Sequence, residues 1–383
     1  MKILYVIHDN KKGGAAISFF EMIREMRKEH EIFVLTPHKD GYVPDELDKM
    51  GIPHDSAHYF WWMVACPQNG ILRAFKICLY KLLNIVNRIE AKRICKKYQG
   101  QGFDIVHSNS SVINFGGLLS KYMKIPHVWH IREYGQEDFG LYPVLPLKEM
   151  NEFMDQYSDK VITISKAVSK KYAPIMREDK LVQIYNGISQ HFNFEKKSFP
   201  VSNSKVVFLI AGNYCREKGQ IDVAMAAKHL VAQGITDFEV AMAGNGDFKE
   251  VKEFIDRENL QSYINIVGRV NDMKTLRKSV DVEIVASKCE TFGRVTIEAM
   301  KASNPVIGTN SGGTVELIED GVNGYLFSYM NFEELSEKMR EFILNPDLIE
   351  KMGKNAFAGA KNQFTPEECA YRIEEVYKQL IFS

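Results

Sequence analysis

Glu290 and Glu298 stand eight residues apart in SKCETFGRVTIEAMKASNPVIGTNSGGTVELIEDGVNG, residues 287–324. The first precedes an expected helix start near Phe292, and the second lies about two turns along that helix. A helix rises ~1.5 Å per residue, which puts Glu298 roughly 9 Å beyond the start. Helix N-termini attract anions. The backbone N–H groups of Phe292, Gly293 and Arg294 are therefore candidates to hold a diphosphate, with the two carboxylates accepting hydrogen bonds from hydroxyls on either side. A nucleotide-sugar has that shape and that chemistry. Two glutamates at this spacing are common in any helical protein, usually as solvated surface charge, so the surrounding elements decide.

Val280, Val282, Ile284 and Val285 make an apolar strand running into Ala286-Ser287. The motif thus begins at a strand's C-terminal end, where open α/β sheets bind ligands. Pro305-Val306-Ile307-Gly308 forms a second strand leading into Ser311-Gly312-Gly313-Thr314, another source of amides, and Gly321, Asn323 and Gly324 mark a turn before Tyr325. One opening occurs twice in the chain: strand Lys2–Ile7, a loop with Gly13-Gly14 and a helix 15–28; then strand Lys205–Ile210, the loop Gly212–Gly219 and a helix 220–233. Further strands are expected at 31–36, 103–107, 126–130 and 160–164, and at 238–243, 264–267, 281–285 and 305–308. The fold class is α/β, with two Rossmann-like doubly wound domains facing each other across a cleft. The first spans 1–188, a polar linker 189–204, the second 205–363, and an amphipathic C-terminal helix within 364–383 is available to pack back on the first. Neither glycine loop has the G-x-G-x-x-G spacing of a dinucleotide fingerprint, which counts against a dehydrogenase. The 212–219 loop instead carries Arg216 and Lys218, cations suited to a diphosphate.

Composition agrees with this reading. A length of 383 residues suits two domains, and 45% hydrophobic with 26% charged residues describes an ordinary globular protein. A net charge of zero gives no electrostatic case for nucleic acid. Cys66, Cys78, Cys95, Cys215, Cys289 and Cys369 lack metal-ligand spacing and read as reduced, mostly packed thiols of a cytoplasmic protein. The apolar run Ile3–Ile7 is too short for a signal peptide, and no apolar stretch of 18 residues is present.

Taken together, these motifs resemble the retaining glycosyltransferases of family 4, which have the two-domain GT-B fold. The likeness covers nearly the whole chain and is densest at 205–327, where Glu290 and Glu298 sit in an E-x-F-G-x-V-x-x-E-A-M context. Gly212–Gly219 resembles the family's phosphate loop with Lys218 at its lysine position, and Tyr185-Asn186-Gly187-Ile188 its Asn-Gly turn. Asp104-Ile105-Val106-His107 and Pro126-His127-Val128-Trp129-His130 resemble two strand ends of the acceptor domain, the second bearing the active-site histidine. One departure stands out: Asn213 occupies a position that is usually arginine, and Arg216 is the nearest replacement.

The resemblance implies transfer of a sugar, with retention, from a nucleoside diphosphate sugar (UDP by default) to an acceptor hydroxyl in bacterial surface polysaccharide or glycolipid assembly. It implies catalytic roles for His130, Glu290, Lys218 and Arg216. Donor contacts would come from Gly14, Asn213, Arg269, Val270, Phe292, Gly293, Arg294, Val295 and Glu298, the last on the ribose. His107, Arg132 and Asn186, with Glu133 beside them, are acceptor-side candidates. No D-x-D-type pair is placed to hold a metal, so neither metal nor other cofactor is expected. A non-hydrolysing UDP-sugar epimerase and a non-catalytic nucleotide-sugar-binding subunit are the rival readings. Segment 71–97 carries eight Lys or Arg and one acid, Glu90, next to the aromatic run Tyr59–Trp62. It reads either as a basic amphipathic helix on an anionic membrane surface, which would make the chain peripheral at the inner face of the cell membrane, or as a helix packed on the sheet with solvated charges.

Overall fold

A computed structural model of the chain describes residues 1–65, 70–189 and 205–382. Cys66 and residues 190–204, nearly all of the expected linker, lie outside the described residues. Two compact units result, Met1–Gly187 with Pro366–Ser383, and Ile188–Thr365.

The first unit contains β1 (Lys2–Val6), β2 (Glu31–Thr36), β3 (His54–Ser56), β4 (Met63–Ala65), β5 (Ile105–Ser108), β6 (His127–Ile131), β7 (Leu141–Pro143), β8 (Lys160–Thr163) and β9 (Leu181–Gln183). Seven of these form a parallel sheet in the order β3-β2-β1-β5-β6-β8-β9, while β4 and β7 make a separate antiparallel pair. The second unit contains β10 (Val206–Ala211), β11 (Phe238–Ala243), β12 (Ile264–Gly268), β13 (Val282–Val285), β14 (Val306–Thr309) and β15 (Gly324–Phe327). They form a parallel sheet in the order β12-β11-β10-β13-β14-β15. Parallel strands are covered by crossover helices on both faces, which is why β1 and β10 read as continuous apolar runs, not alternating ones. In each sheet the chain works outward from its first strand and then returns to that strand's other flank. The switch points lie between β1 and β5, and between β10 and β13.

Helix Pro366–Phe382 belongs to the first unit, where Ile373, Val376 and Tyr377 join Ile3, Phe19 and Ile23 in one buried cluster. Three local expectations are narrowed or corrected. The aromatic run beside segment 71–97, for which a membrane-facing and a packed reading were both open, does not lie wholly at the surface: Tyr59 and Trp62 are buried, stacked on Phe115 at 4.4 Å and Trp129 at 5.6 Å, while Phe60 and Trp61 are half-buried. Nor are the thiols mostly packed, since of the five described cysteines Cys369 is buried while Cys78 and Cys215 are exposed. The third concerns the helix carrying Glu298, which starts at Arg294, two residues later than expected.

Candidate active site

Two loops meet at the switch point of the second sheet, one after β10 and one after β13. The first folds through a short 3-10 turn, Arg216–Lys218, into Gly219, which has φ +73°. A Cβ on Gly219 would lie 2.4 Å from the Ala286 carbonyl oxygen, so only glycine lets the loops approach this closely. The Lys288 N–H then donates to the Glu217 carbonyl at 2.7 Å. This contact carries the Lys218 ammonium onto the Glu290 carboxylate as an ion pair. Glu290 is held from behind as well, because its carbonyl accepts the Gly313 N–H at 2.6 Å. The amide expected to be on offer in the Ser311–Thr314 loop is therefore partly engaged in placing Glu290. Lys218, Glu290, Ser287 and Val295 line a small cavity above the ends of β10 and β13.

Glu298 follows the helix start by a little over one turn, not two. Gly293 takes φ +87° as the N-cap, and Phe292 before it is buried, 6.0 Å from the Phe364 ring. The first amides aligned with the helix axis are thus those of Arg294, Val295 and Thr296, not Phe292 and Gly293. Glu298 points both oxygens at arginines: Oε2 lies 2.9 Å from Arg277 and Oε1 3.4 Å from Arg294. Asn213, in the arginine position, accepts the Asn245 N–H on its Oδ1 at 3.2 Å and ties the loop after β10 to that after β11. Arg216 pairs with Asp222 on the following helix, 3.2 Å from each carboxylate oxygen. Exposed Arg269 and half-buried Val270 follow β12, with Val270 packed against Leu209, Ala243 and Val280.

In the first unit His130 lies near the end of β6, fully buried, with Nδ1 3.2 Å from His107 Nε2. His107 is equally buried, and its Nδ1 meets the Tyr377 hydroxyl at 2.6 Å. Burial foremost, then the Arg132 charge, holds both imidazoles well below the usual histidine range, hence neutral. Arg132 donates to Asn109 Oδ1 at 2.6 Å and Asn186 Oδ1 at 2.5 Å, so three of the acceptor-side candidates form one buried network with His130. Glu133 is buried among the Ser110 and Ser111 hydroxyls, and burial raises its carboxyl against those hydrogen bonds. Gly14 opens helix Gly14–Met26, beside a pocket at the β1/β5 switch lined by His8, Lys11, Lys12, Gly13 and Asn109.

Residues 12–191 match the Glycosyltransferase Family 4 model and residues 191–358 the model of glycosyl transferases group 1. The chain belongs to the group 1, family 4 glycosyltransferases. An uncharacterized glycosyltransferase of Methanocaldococcus jannaschii is 28% identical over 308 residues, 79% of this chain and 83% of that protein. The alpha-monoglucosyldiacylglycerol synthase of Acholeplasma laidlawii is 24% identical over 92% of this chain and 89% of its own length. Anabaena HepE, solved in complex with UDP, superposes with a TM-score of 0.79 at 22% identity, covering 99% of this chain and 100% of HepE. The fold is GT-B.

Two parts of this glycosyltransferase escaped the sequence reading. Arg277, almost wholly buried, donates from Nε to Glu283 Oε1 at 2.7 Å as well as meeting Glu298, and Asn304 reaches the same Glu283 oxygen at 3.4 Å. A carboxylate in the middle of an apolar strand was the available signal, since a buried charge demands a partner. Tyr377 gave no such signal. It lies on the buried face of an amphipathic helix, where a tyrosine reads as packing.

Proposed function

We propose that this glycosyltransferase moves a sugar, with retention and without a metal, from a UDP-sugar to an acceptor hydroxyl. The observation carrying the reading is the Lys218–Glu290 pair, a cation and a carboxylate joined where three loops converge at a sheet switch point. As the bond from the anomeric carbon to the diphosphate oxygen stretches, negative charge grows on the leaving group and positive charge on the ring. Lys218, Arg216 and the first amides of helix Arg294–Lys301 stabilise the former. Glu290 contacts the transferred sugar and Glu298 the ribose, its carboxylate oriented by Arg277 and Arg294. Arg269 and Val270 serve the base. A bond forms from the acceptor oxygen to the anomeric carbon, and the acceptor's proton passes to the departing phosphate oxygen. His130 contacts the reacting sugar. The UDP complex of HepE supports the choice of base, and the glycolipid product named for the Acholeplasma relative supports a lipid or polysaccharide acceptor.

The same proposal puts the acceptor at an anionic membrane surface. Helix Gly70–Lys97 divides in two: Asn87, Ala91 and Ile94 are buried, whereas Leu72, Phe75, Leu79, Leu82, Val86 and Ile89 form an exposed stripe. Lys76, Lys81, Arg88 and Lys92 are exposed along the same helix, while Glu90 is buried and paired with Arg93. A second copy laid on this stripe would bring cations against cations; anionic headgroups would not. No helix among the described residues is long and apolar enough to cross a membrane. Co-sedimentation with anionic vesicles should be lost when Lys76, Lys81, Arg88 and Lys92 become serine, and unchanged binding would refute this part.

The activity is tested by offering a panel of nucleotide-sugars to the purified chain and following both thermal stabilisation and products. Transfer to an added acceptor or water supports the reading. A changed sugar in the nucleotide pool indicates an epimerase, and stabilisation without turnover a binding subunit. Complete loss of activity in EDTA, restored by manganese, would overturn metal independence.

A further inference from the structure

One continuous line of hydrogen bonds runs through the first unit. The Tyr5 hydroxyl is 3.1 Å from that of Tyr377, Tyr377 is 2.6 Å from His107 Nδ1, and His107 Nε2 is 3.2 Å from His130 Nδ1. All four side chains are fully buried, and they come from β1, the C-terminal helix, β5 and β6. The line has a direction, because its members differ in what they can donate. A guanidinium nitrogen of Arg132 lies 3.5 Å from His130 Nδ1, and guanidinium only donates. Both histidines are neutral, so each carries a single N–H.

With Arg132 beside it, His130 Nδ1 must be the acceptor, fed by the His107 Nε2–H. His107 Nδ1 is then bare and accepts from Tyr377, whose oxygen accepts in turn from Tyr5. In this direction every buried proton but one has an acceptor. The remaining one sits on His130 Nε2, a buried nitrogen with no hydrogen-bond partner among the described residues. The opposite direction would leave the Tyr5 hydroxyl proton without an acceptor and set an Arg132 N–H against a His130 N–H.

We infer that Arg132 is a positioning residue that selects the Nε2–H tautomer of His130, with His107 and Tyr377, the latter from the last helix of the chain, completing the line of donors behind it. That tautomer makes His130 a hydrogen-bond donor toward a sugar oxygen, not a base. The consequence for turnover rests on the assignment of His130 to the reacting sugar; the tautomer itself does not. The arrangement also explains why a helix distant in sequence is built into the first unit, since it brings a hydroxyl to the far side of His107.

The test uses the full chain labelled with 15N-histidine. Two-bond 1H–15N spectra should show His107 and His130 both protonated at Nε2, and a proton on His130 Nδ1 would overturn the inference without any variant. Arg132→Met removes the guanidinium that keeps a proton off His130 Nδ1 and should give mixed tautomers at both histidines. Its kcat should fall about three- to tenfold, the worth of one hydrogen bond, with the donor KM unchanged. Tyr5→Phe keeps the donor to His107 and should preserve both the tautomers and kcat, whereas a purely structural role would predict similar losses for the two variants. An unaltered spectrum and rate in Arg132→Met would sink the proposal. Full turnover in His130→Ala would instead overturn the role of His130, separately from its tautomer.

Discussion

Replacing Arg277 with methionine should be among the most damaging single changes available in the second unit, and the damage should depend on pH. Arg277 is 1% exposed and its partner Glu283 0% exposed, so the substitution strands a carboxylate inside the sheet. Breaking a buried pair by removing one member costs about 3–5 kcal/mol. For a unit the size of Ile188–Thr365, each kcal/mol moves the melting temperature by roughly 2–4 °C, giving a fall of about 6–20 °C. The sign of the pH effect follows from Glu283. Burial raises its carboxyl above the usual range even with Arg277 present, and without the arginine it must rise further. A carboxyl raised on folding leaves stability intact below its unfolded value, and stability is lost as pH rises through the folded one. The deficit of Arg277→Met should therefore be larger at pH 8 than at pH 5. Converting Glu283 to leucine in the same chain should recover most of the loss, since an apolar replacement of both partners is close to neutral. Differential scanning calorimetry of the three proteins at the two pH values decides the matter. A single variant within about 1 kcal/mol of the parent, or a deficit independent of pH, would refute the reasoning. The rescued protein carries a functional corollary: with Glu298 held by Arg294 alone, its donor KM should rise while its kcat stays near that of the parent.

Lys218→Ala should lower kcat by about 10²–10³, the usual effect of deleting one group that stabilises a developing anion, with nucleotide-sugar hydrolysis or transfer as the readout. Gly219→Ala should destabilise the second unit by about 2–4 kcal/mol in urea melts, because the new Cβ is 2.7 Å from the Ala286 Cβ and φ is +73°. Asn213→Asp should loosen the loops after β10 and β11 little, since Oδ1 is retained for the Asn245 N–H, but should raise the donor KM several-fold if a diphosphate binds beside it. An unchanged KM in titrations of rate against donor would remove that loop from the binding site.

The two sheets were legible because buried parallel strands are apolar throughout, and a glycine loop followed by an amphipathic helix is a strong local pattern. Segment 31–36 coincides with β2 and 238–243 with β11. What stayed hidden depends on partners far apart in sequence. The antiparallel pair of β4 and β7 has three-residue strands whose pattern is too short to read. The late start of the Glu298 helix is a matter of how Phe292 packs and of the left-handed Gly293, and neither can be inferred from spacing. Tyr59 and Trp62 left two readings open for a related reason, because an aromatic run next to a basic helix has the same composition whether it faces lipid or core.

The paired glutamates show the same limit within the candidate site. Spacing treats Glu290 and Glu298 as equivalents, yet their surroundings are chemically different. Glu290 shares one ammonium with whatever anion Lys218 also reaches, so a diphosphate arriving there competes with, or bridges to, that carboxylate. Glu298 faces two guanidinium groups, one of them locked by Glu283 and unable to leave. A hydroxyl can share Glu298 without disturbing its ion pairs, because a carboxylate has about four acceptor directions and the two arginines do not occupy them all. The first glutamate therefore sits where charge can be rearranged during a reaction, and the second where it cannot. That difference, set by Arg277 from a neighbouring segment, separates a group suited to a reacting centre from one suited to fixed recognition.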